Sequence, residues 1–258
     1  RYLTDVPQML ASEGREVRLF QVRDPEDVMS FNTLPQLDDV RGVHADGSRD
    51  QAAYPTLGQW VKALADRDDE AVAESVSRAL AERVGGDRPA FLVRSPGRIN
   101  LMGRHVDHQG GVCNLMAIDR EIVMAVSPRD DDRINLWNAD SATYPDRSFA
   151  ISDLTQEAVW EDWLRTLDTQ FIQRAVSLSA GDWVNYVKGA ALRLQHRFRE
   201  RTLAGIDAYV SGSIPVAAGL SSSSALLVAT AEALIERNAL NVRVSEFVDL
   251  CGEGEWYV

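Results

Sequence analysis

The chain has 258 residues, of which 45% are hydrophobic and 26% are charged, as is typical of one large globular domain or of one domain with an extension. Its formal net charge is −12. This acidity argues against nucleic acid and anionic membranes as the main partners, because both bind basic surfaces.

The two cysteines, Cys113 and Cys251, lie far apart and outside any spacing typical of metal ligands. We interpret them as two buried thiols in a reducing compartment rather than as a disulfide. The sequence has no run of about 18 apolar residues, and its first residues lack the charged-then-apolar plan of a signal peptide. These features predict a cytoplasmic protein.

Residues 1–56 are polar and repeatedly broken by proline, which predicts an N-terminal extension or linker before a folded unit over residues 57–258. An acidic helix is predicted within Trp60–Val84 and is expected to end at Gly85–Gly86. Its apolar residues recur at four-residue steps: Val72, Val76, Leu80 and Val84. We interpret this helix as a solvated one packed on the main domain, with an interaction module as the alternative.

Strands are predicted in the middle of the chain. Phe91–Val93 is expected to run into a turn at Ser95–Gly97, and a turn at residues 128–132 is expected to join strands at Glu121–Ser127 and Arg133–Trp137. A half-buried strand is predicted farther on from alternating apolar and polar residues: Ile206, Asp207, Ala208, Tyr209 and Val210.

Helices are predicted in the second half of the chain. Asp182 is expected to cap one helix, a second is expected to begin near Ser222, and Ser245 is expected to cap the last. Helices and strands mix without a regular βαβ order, which predicts the α+β class.

The segment Pro215–Ala225 joins the last predicted strand to an apolar helix and consists mainly of small residues. Such a junction leaves backbone N–H groups uncovered, and the helix dipole adds about half a positive charge where an anion would lie. One serine is enough to cap a helix, whereas four follow one another here, which favours a phosphate site over a capped helix start. The sequence lacks G-x-x-x-x-G-K-[ST], which excludes a P-loop NTPase.

A second polar segment, Ser95–Gly111, places charged residues beside glycines between two apolar strands. Its charged and histidine side chains are Arg98, Arg104, His105, Asp107 and His108. A carboxylate there can accept hydrogen bonds from substrate hydroxyls, and the planar fork of arginine fits phosphate. The alternative is a solvated hairpin with incidental charges. Two histidines three residues apart are weak evidence for zinc without a third ligand.

These segments resemble the signatures of galactokinases, in the galactokinase, homoserine kinase and mevalonate kinase (GHMP) superfamily. Ser95–Gly111 (SPGRINLMGRHVDHQGG) resembles the first galactokinase signature, and Gly219–Ala225 (GLSSSSA) resembles the phosphate-binding signature of the superfamily. Between them, Trp183–Gly189 (WVNYVKG) resembles a helix start common in galactokinases. The resemblance covers about residues 90–258.

The resemblance implies the fold of the GHMP kinase N-terminal domain, which is similar to ribosomal protein S5 domain 2 and has a mixed sheet with helices on one face. It also implies an ATP-dependent sugar kinase that uses Mg²⁺. Arg98 matches the arginine near the transferred phosphate. The positions that match the sugar contacts, with the histidine beside them, are Arg104, His105, Asp107 and His108.

For the nucleotide, the resemblance implies contacts between ATP and the serine-rich segment. The implied residues are Pro215, Ala217, Ala218, Gly219, Leu220, Ser221, Ser222, Ser223 and Ser224. Ser223 and Glu255 match the serine and the glutamate that hold Mg²⁺. Trp137 and Asn138 lie where the family contacts the nucleobase.

The sequence departs from the galactokinase pattern at two positions. Galactokinases carry glutamate where this chain has Arg104 and tyrosine where it has His108. A guanidinium in place of a carboxylate exchanges a hydroxyl acceptor for a cationic donor. We therefore expect an acceptor other than galactose that carries an anionic group, such as a uronic acid or a sugar phosphate, and that is phosphorylated, by analogy, at the anomeric hydroxyl.

In galactokinases the catalytic aspartate and a third glycine-rich signature follow the position of Val258. We expect this chain to be the N-terminal part of the kinase, to need the C-terminal part of the same protein, and to be inactive by itself. Val22–Thr33 resembles the closing segment of sugar nucleotidyltransferases, which leaves a bifunctional enzyme open beside a plain linker. A non-catalytic sensor of sugar and ATP and a mevalonate- or homoserine-type kinase also stay open.

Overall fold

A computed structural model describes residues 54–65, 70–103 and 112–258 of the chain. The expected N-terminal extension therefore lies almost entirely outside the described residues. The strands are β1 (Phe91–Met102), β2 (Asn114–Pro128), β3 (Arg133–Asn138), β4 (Arg147–Ala150) and β5 (Ile206–Gly212). The helices are α1 (Leu57–Leu64), α2 (Ala71–Val84), α3 (Ile151–Leu154), α4 (Trp163–Leu167), α5 (Gln170–Leu178), α6 (Val184–Arg197), α7 (Ser222–Arg237) and α8 (Val244–Glu255).

The strands form one mixed sheet in the order β1-β2-β5-β3-β4. Neighbouring strands are antiparallel except for β3 and β5, which run parallel and therefore end at the same edge of the sheet. This arrangement confirms the predicted α+β class and the mixed sheet. The loop that follows β5 leaves the sheet at this edge and leads into α7.

Both faces of the sheet are covered. Met124 and Val126 face the main core, where α6, α7 and α8 pack, whereas Val123 and Ala125 face a smaller core formed with α1 and α2. The expectation of helices on one face is therefore wrong. The physical reason lies in β2, whose unbroken apolar run from Ile122 to Val126 has to be removed from water on both sides.

The predicted acidic helix consists of α1 and α2, and residues 66–69 between them lie outside the described ranges. Val76 and Leu80 are buried in the smaller core, whereas Val72 is 48% exposed and takes no part in it. α2 ends before Gly85, which has a φ of 101° and donates its N–H to the Ala81 carbonyl, as the sequence predicts.

Two predictions about strands are wrong. The turn expected at Ser95–Gly97 is absent, because β1 continues through it to Met102 with a register shift between Pro96 and Arg98. The strand β5 is buried on both faces, and Asp207, expected to face solvent, is buried beneath Arg129.

The helix starts agree with the sequence in one place out of three. Asp182 Oδ1 accepts a hydrogen bond from the Val184 N–H at 3.1 Å, although Trp183 and not Asp182 is the N-cap residue of α6, and α7 begins at Ser222 as predicted. Ser245, however, lies inside the first turn of α8, where Arg243 is the N-cap residue. Among the described helices, none is long and apolar enough to cross a membrane.

Candidate active site

The loop between β5 and α7 is fastened to the sheet at its first residue. The Ser213 N–H donates to the Glu121 carbonyl at 2.9 Å, and the Ser213 hydroxyl accepts from the Glu121 N–H at 3.0 Å. The start of the loop is therefore fixed against β2, next to the register shift in β1.

The residues that follow, 215–224, are named here the serine loop. Its backbone is left-handed at Ala217, Gly219 and Ser221, with φ values of 58°, 72° and 61°. Such a conformation costs a non-glycine residue about 1–2 kcal/mol. In the described part of the chain, no hydrogen bond takes up the N–H groups from Gly219 to Ser224. Uncommitted N–H groups in an alternating backbone ahead of a helix are the groups that bind phosphate.

Arg98 lies beside the serine loop because the loop docks on the bulge of β1. The Arg98 N–H donates to the Leu220 carbonyl at 3.1 Å. At Gly97 a Cβ atom would lie 3.0 Å from the same carbonyl and 3.0 Å from Ile118 Cδ1, so a glycine allows this approach. The Arg98 side chain is exposed and forms no ion pair with any residue that the structure describes.

The first turn of α7 meets the last turn of α8. The Ser224 hydroxyl donates to Glu255 Oε1 at 2.5 Å, although the two residues are 31 positions apart. Both side chains are half-buried. Glu255 Oε2 has no partner among the described residues and is left for a further ligand. Ser224 and Glu255, both predicted for the site, are thus in contact. The glutamate contacts Ser224 and not Ser223, which is the serine predicted to hold Mg²⁺.

The chemistry of these groups fits Mg²⁺. Ser223, Ser224 and Glu255 offer oxygen atoms only, which Mg²⁺ prefers. The described residues contain no group of three or more His, Cys, Asp or Glu side chains that would form a complete metal cage. Mg²⁺ in phosphate-transfer sites is held by one or two protein groups together with substrate phosphates, which is what this site could provide.

Cys251 lies one turn before Glu255 on α8. It is buried, and burial raises the pKa of its thiol to about 12, so the thiol stays protonated at neutral pH. Cys251 is therefore a packing residue and not a nucleophile. Both cysteines are free, as the sequence predicts, but only Cys251 is buried, whereas Cys113, also expected to be buried, is half-buried.

Trp137 and Asn138 end β3 at the sheet edge from which the serine loop leaves, since Asn138 is paired with Val210. Both side chains have partners within the fold. The Arg83 guanidinium lies 5.7 Å from the centre of the Trp137 ring, and Asn138 Oδ1 accepts from the Asp140 N–H at 2.9 Å. Their contact with a nucleobase stays a prediction.

The residues predicted to bind sugar, Arg104, His105, Asp107 and His108, lie outside the described residues. The ends of this segment are close together. The Cys113 thiol donates to the Gly103 carbonyl at 3.2 Å, and Met102 is paired with Asn114. The described residues that flank positions 104–111 therefore lie where β1 ends and β2 begins, on the strand pair that includes Arg98.

Sequence reasoning missed the contacts that hold the site together, which are the Ser213–Glu121 pair and the bulge at Gly97. A glycine inside a strand is a signal for a bulge or for close backbone approach, and Gly97 carried that signal. A shallow cavity of about 230 Å³ elsewhere is lined by Trp160, Gln195 and Arg199, among others, and shares no residue with the serine loop.

Comparison with known proteins gives two family matches. Residues 79–128 match the galactokinase galactose-binding signature, and residues 185–257 match the N-terminal domain of GHMP kinases. The first match contains Arg98 and the predicted sugar segment. The second contains the serine loop and Glu255.

Individual relatives agree with these matches. A galactokinase of Roseiflexus sp. (strain RS-1) is 33% identical over 169 residues, which is 66% of this chain and 36% of the relative. The crystal structure of Lactococcus lactis galactokinase complexed with galactose superposes with a TM-score of 0.57 at 26% identity, over 71% of this chain and 42% of that one. This chain therefore spans less than half the length of either relative.

Proposed function

We propose that this chain is a galactokinase-like member of the GHMP kinase family and that it is the ATP- and sugar-binding part of a sugar kinase. The reaction would transfer the γ-phosphoryl group of ATP to a hydroxyl of a monosaccharide, with Mg²⁺ as the metal. The observation that carries this proposal is the contact between the serine loop and Glu255. Beside it lie loop N–H groups and the Arg98 side chain, none of which is paired with a residue that the structure describes.

The residues would act mainly by positioning and by neutralising charge, which is what phosphoryl transfer requires. The N–H groups from Gly219 to Ser224 would bind the phosphate oxygens, and the dipole of α7 would add to their attraction. Arg98 would form charge-assisted hydrogen bonds to the transferred group as negative charge develops on it. Mg²⁺, when bound, would neutralise the β- and γ-phosphates, and Ser223 and Glu255 would hold it.

We propose further that the acceptor is not galactose but a sugar that carries an anionic group. The support is Arg104, which stands where galactokinases carry glutamate. An arginine there would form a charge-assisted pair with a carboxylate or a phosphate and would leave a neutral hydroxyl without an acceptor. The phosphorylated position would be the anomeric hydroxyl.

The test is release of ADP by the full-length protein with Mg-ATP and a panel of neutral sugars, uronic acids and sugar phosphates. We expect turnover on an acidic sugar, and we expect Arg104→Glu to shift preference toward neutral sugars. Equal or better turnover on galactose would refute the proposed substrate while leaving the kinase. Binding of ATP and sugar without turnover on any acceptor would refute the kinase and favour a sensor.

A further inference from the structure

Helices α6 and α8 cross at a pair of glycines. A Cβ atom at Gly189 would lie 2.4 Å from the carbonyl oxygen of Gly254 and 3.2 Å from Tyr257 Cβ. Ordinary contact between such atoms begins at 3.4 Å, so a methyl group at residue 189 would push the two backbones apart by about 1 Å. Glycine costs a helix interior about 1 kcal/mol relative to alanine, which indicates a packing reason for it here.

The crossing lies directly beside the candidate metal ligand, because Gly254 precedes Glu255 in α8. The residue on the other side, Glu253, is also held. Its carboxylate accepts from Arg193 Nε of α6 at 2.6 Å, and its carbonyl accepts from Trp163 Nε1 at 3.1 Å. The last turn of α8 is thus fixed to the rest of the fold immediately before the carboxylate that binds Ser224.

The Ser224–Glu255 contact leaves little room for movement. The two oxygens are 2.5 Å apart, so a displacement of α8 by about 1 Å away from α7 would bring them near 3.5 Å, the limit of a hydrogen bond. Glu255 would then lose the partner that orients its carboxylate, although none of the atoms that bind a ligand had been changed.

We propose that Gly189 is a positioning residue that sets the place of the Glu255 carboxylate at the metal side of the serine loop. The proposal rests on the proposed function, since it assumes that Glu255 faces a Mg²⁺–nucleotide complex. Gly189 acts through its close contact with α8 at Gly254 and Tyr257 and is not itself one of the proposed ligand-binding residues.

The test compares Gly189→Ala with Gly252→Ala in the full-length protein. Gly252 is an exposed glycine of α8, and a Cβ atom there would meet nothing within 4 Å, so this variant makes the same change without the clash. The measurement is the affinity of the protein for a non-hydrolysable ATP analogue, with fluorescence as the signal. It is made over a titration of Mg²⁺ and is then repeated without metal.

We expect Gly189→Ala to reduce the gain in affinity for the analogue that Mg²⁺ produces by about tenfold. This is the lower end of the loss in metal affinity that follows when the groups supporting a metal ligand are displaced. Metal-free binding of the analogue and the behaviour of Gly252→Ala should stay close to the unaltered protein. A general structural defect would lower both kinds of binding together. Equal Mg²⁺ dependence in the unaltered protein and in folded Gly189→Ala would overturn the proposal.

Two further results keep the interpretation clear. If Gly189→Ala does not fold, Arg193→Gln takes its place, because it loosens the same turn of α8 without a clash and should weaken Mg²⁺ dependence several-fold. An unchanged Mg²⁺ dependence in Arg193→Gln would then overturn the proposal. If the unaltered protein binds no nucleotide with Mg²⁺, the proposed function itself fails, and this inference fails with it.

Discussion

The buried carboxylate of Asp207 gives the sharpest test of the fold that carries the site. Its side chain is 3% exposed and accepts hydrogen bonds from Arg129 Nη1 at 3.0 and 3.1 Å and from Asn135 Nδ2 at 2.7 Å. Arg129 also binds Asp131, whose side chain is 52% exposed. One arginine therefore has a buried and an exposed partner.

The two partners should differ widely in their contribution to stability. Removing one member of a buried ion pair costs about 3–5 kcal/mol, but Arg129 is 24% exposed and keeps its second partner. We therefore expect Asp207→Ala to lower the free energy of unfolding by about 3 kcal/mol. Asp131→Ala should lower it by less than about 1 kcal/mol, because exposed ion pairs contribute little.

The measurement is urea unfolding of the full chain, followed by far-UV circular dichroism. A double-mutant cycle with Arg129→Met should show strong coupling to Asp207 and weak coupling to Asp131. A loss below about 1 kcal/mol for Asp207→Ala, or equal losses for the two aspartates, would refute the buried pair and the sheet register that places it.

Three other predictions concern the site and its surroundings. Ser224→Ala should weaken binding of a Mg²⁺–nucleotide complex about tenfold in an equilibrium titration, since a hydrogen bond to a charged acceptor contributes about 1.5–3 kcal/mol. The control is Ser245→Ala, in the exposed first turn of α8. Gly97→Val should displace the Leu220 carbonyl and lower nucleotide affinity in the same titration about fivefold or more, and unchanged affinity would contradict the docking of the serine loop on the bulge. Burial lowers the pKa of His196 below 6.5, so the neutral imidazole contributes to the free energy of unfolding above pH 6.5, and this contribution is lost as the pH falls through the folded pKa. His196→Gln should therefore reduce the fall in the free energy of unfolding that urea titrations measure below about pH 7.

Local sequence signals predicted the elements whose stability is decided locally. The end of α2 at Gly85 requires only a residue that adopts a positive φ, and the start of α7 at Ser222 requires only that the preceding loop is not helical. The serine loop was predicted for the same reason, because small residues before a helix expose N–H groups whatever surrounds them.

Predictions failed where a distant partner decides the outcome. Pro96 and Gly97 are typical of a turn, but β2 supplies a hydrogen-bonding partner on both sides of them, so β1 bulges and continues. The alternation in β5 indicated that Asp207 faces water, yet Arg129 and Asn135 arrive from other parts of the chain and make its burial possible. Neither partner is visible from the local pattern.

The choice of serine that meets Glu255 shows the same limit inside the site. Residues next to each other on a helix point about 100° apart, so the approach of α8 toward α7 decides whether Ser223 or Ser224 is met. That approach depends on the crossing of Gly189 and Gly254, which no local pattern of the serine loop records. Because the Ser224 hydroxyl donates to Glu255 Oε1, we assign the two serines different roles. Ser224 orients the carboxylate. The Ser223 hydroxyl has no hydrogen-bond partner among the described residues and is therefore available to the metal or the phosphates. A Ser223→Ala variant should therefore weaken Mg²⁺-dependent binding without moving Glu255, whereas Ser224→Ala should do so by freeing it, and a crystal structure of each variant would distinguish the two effects.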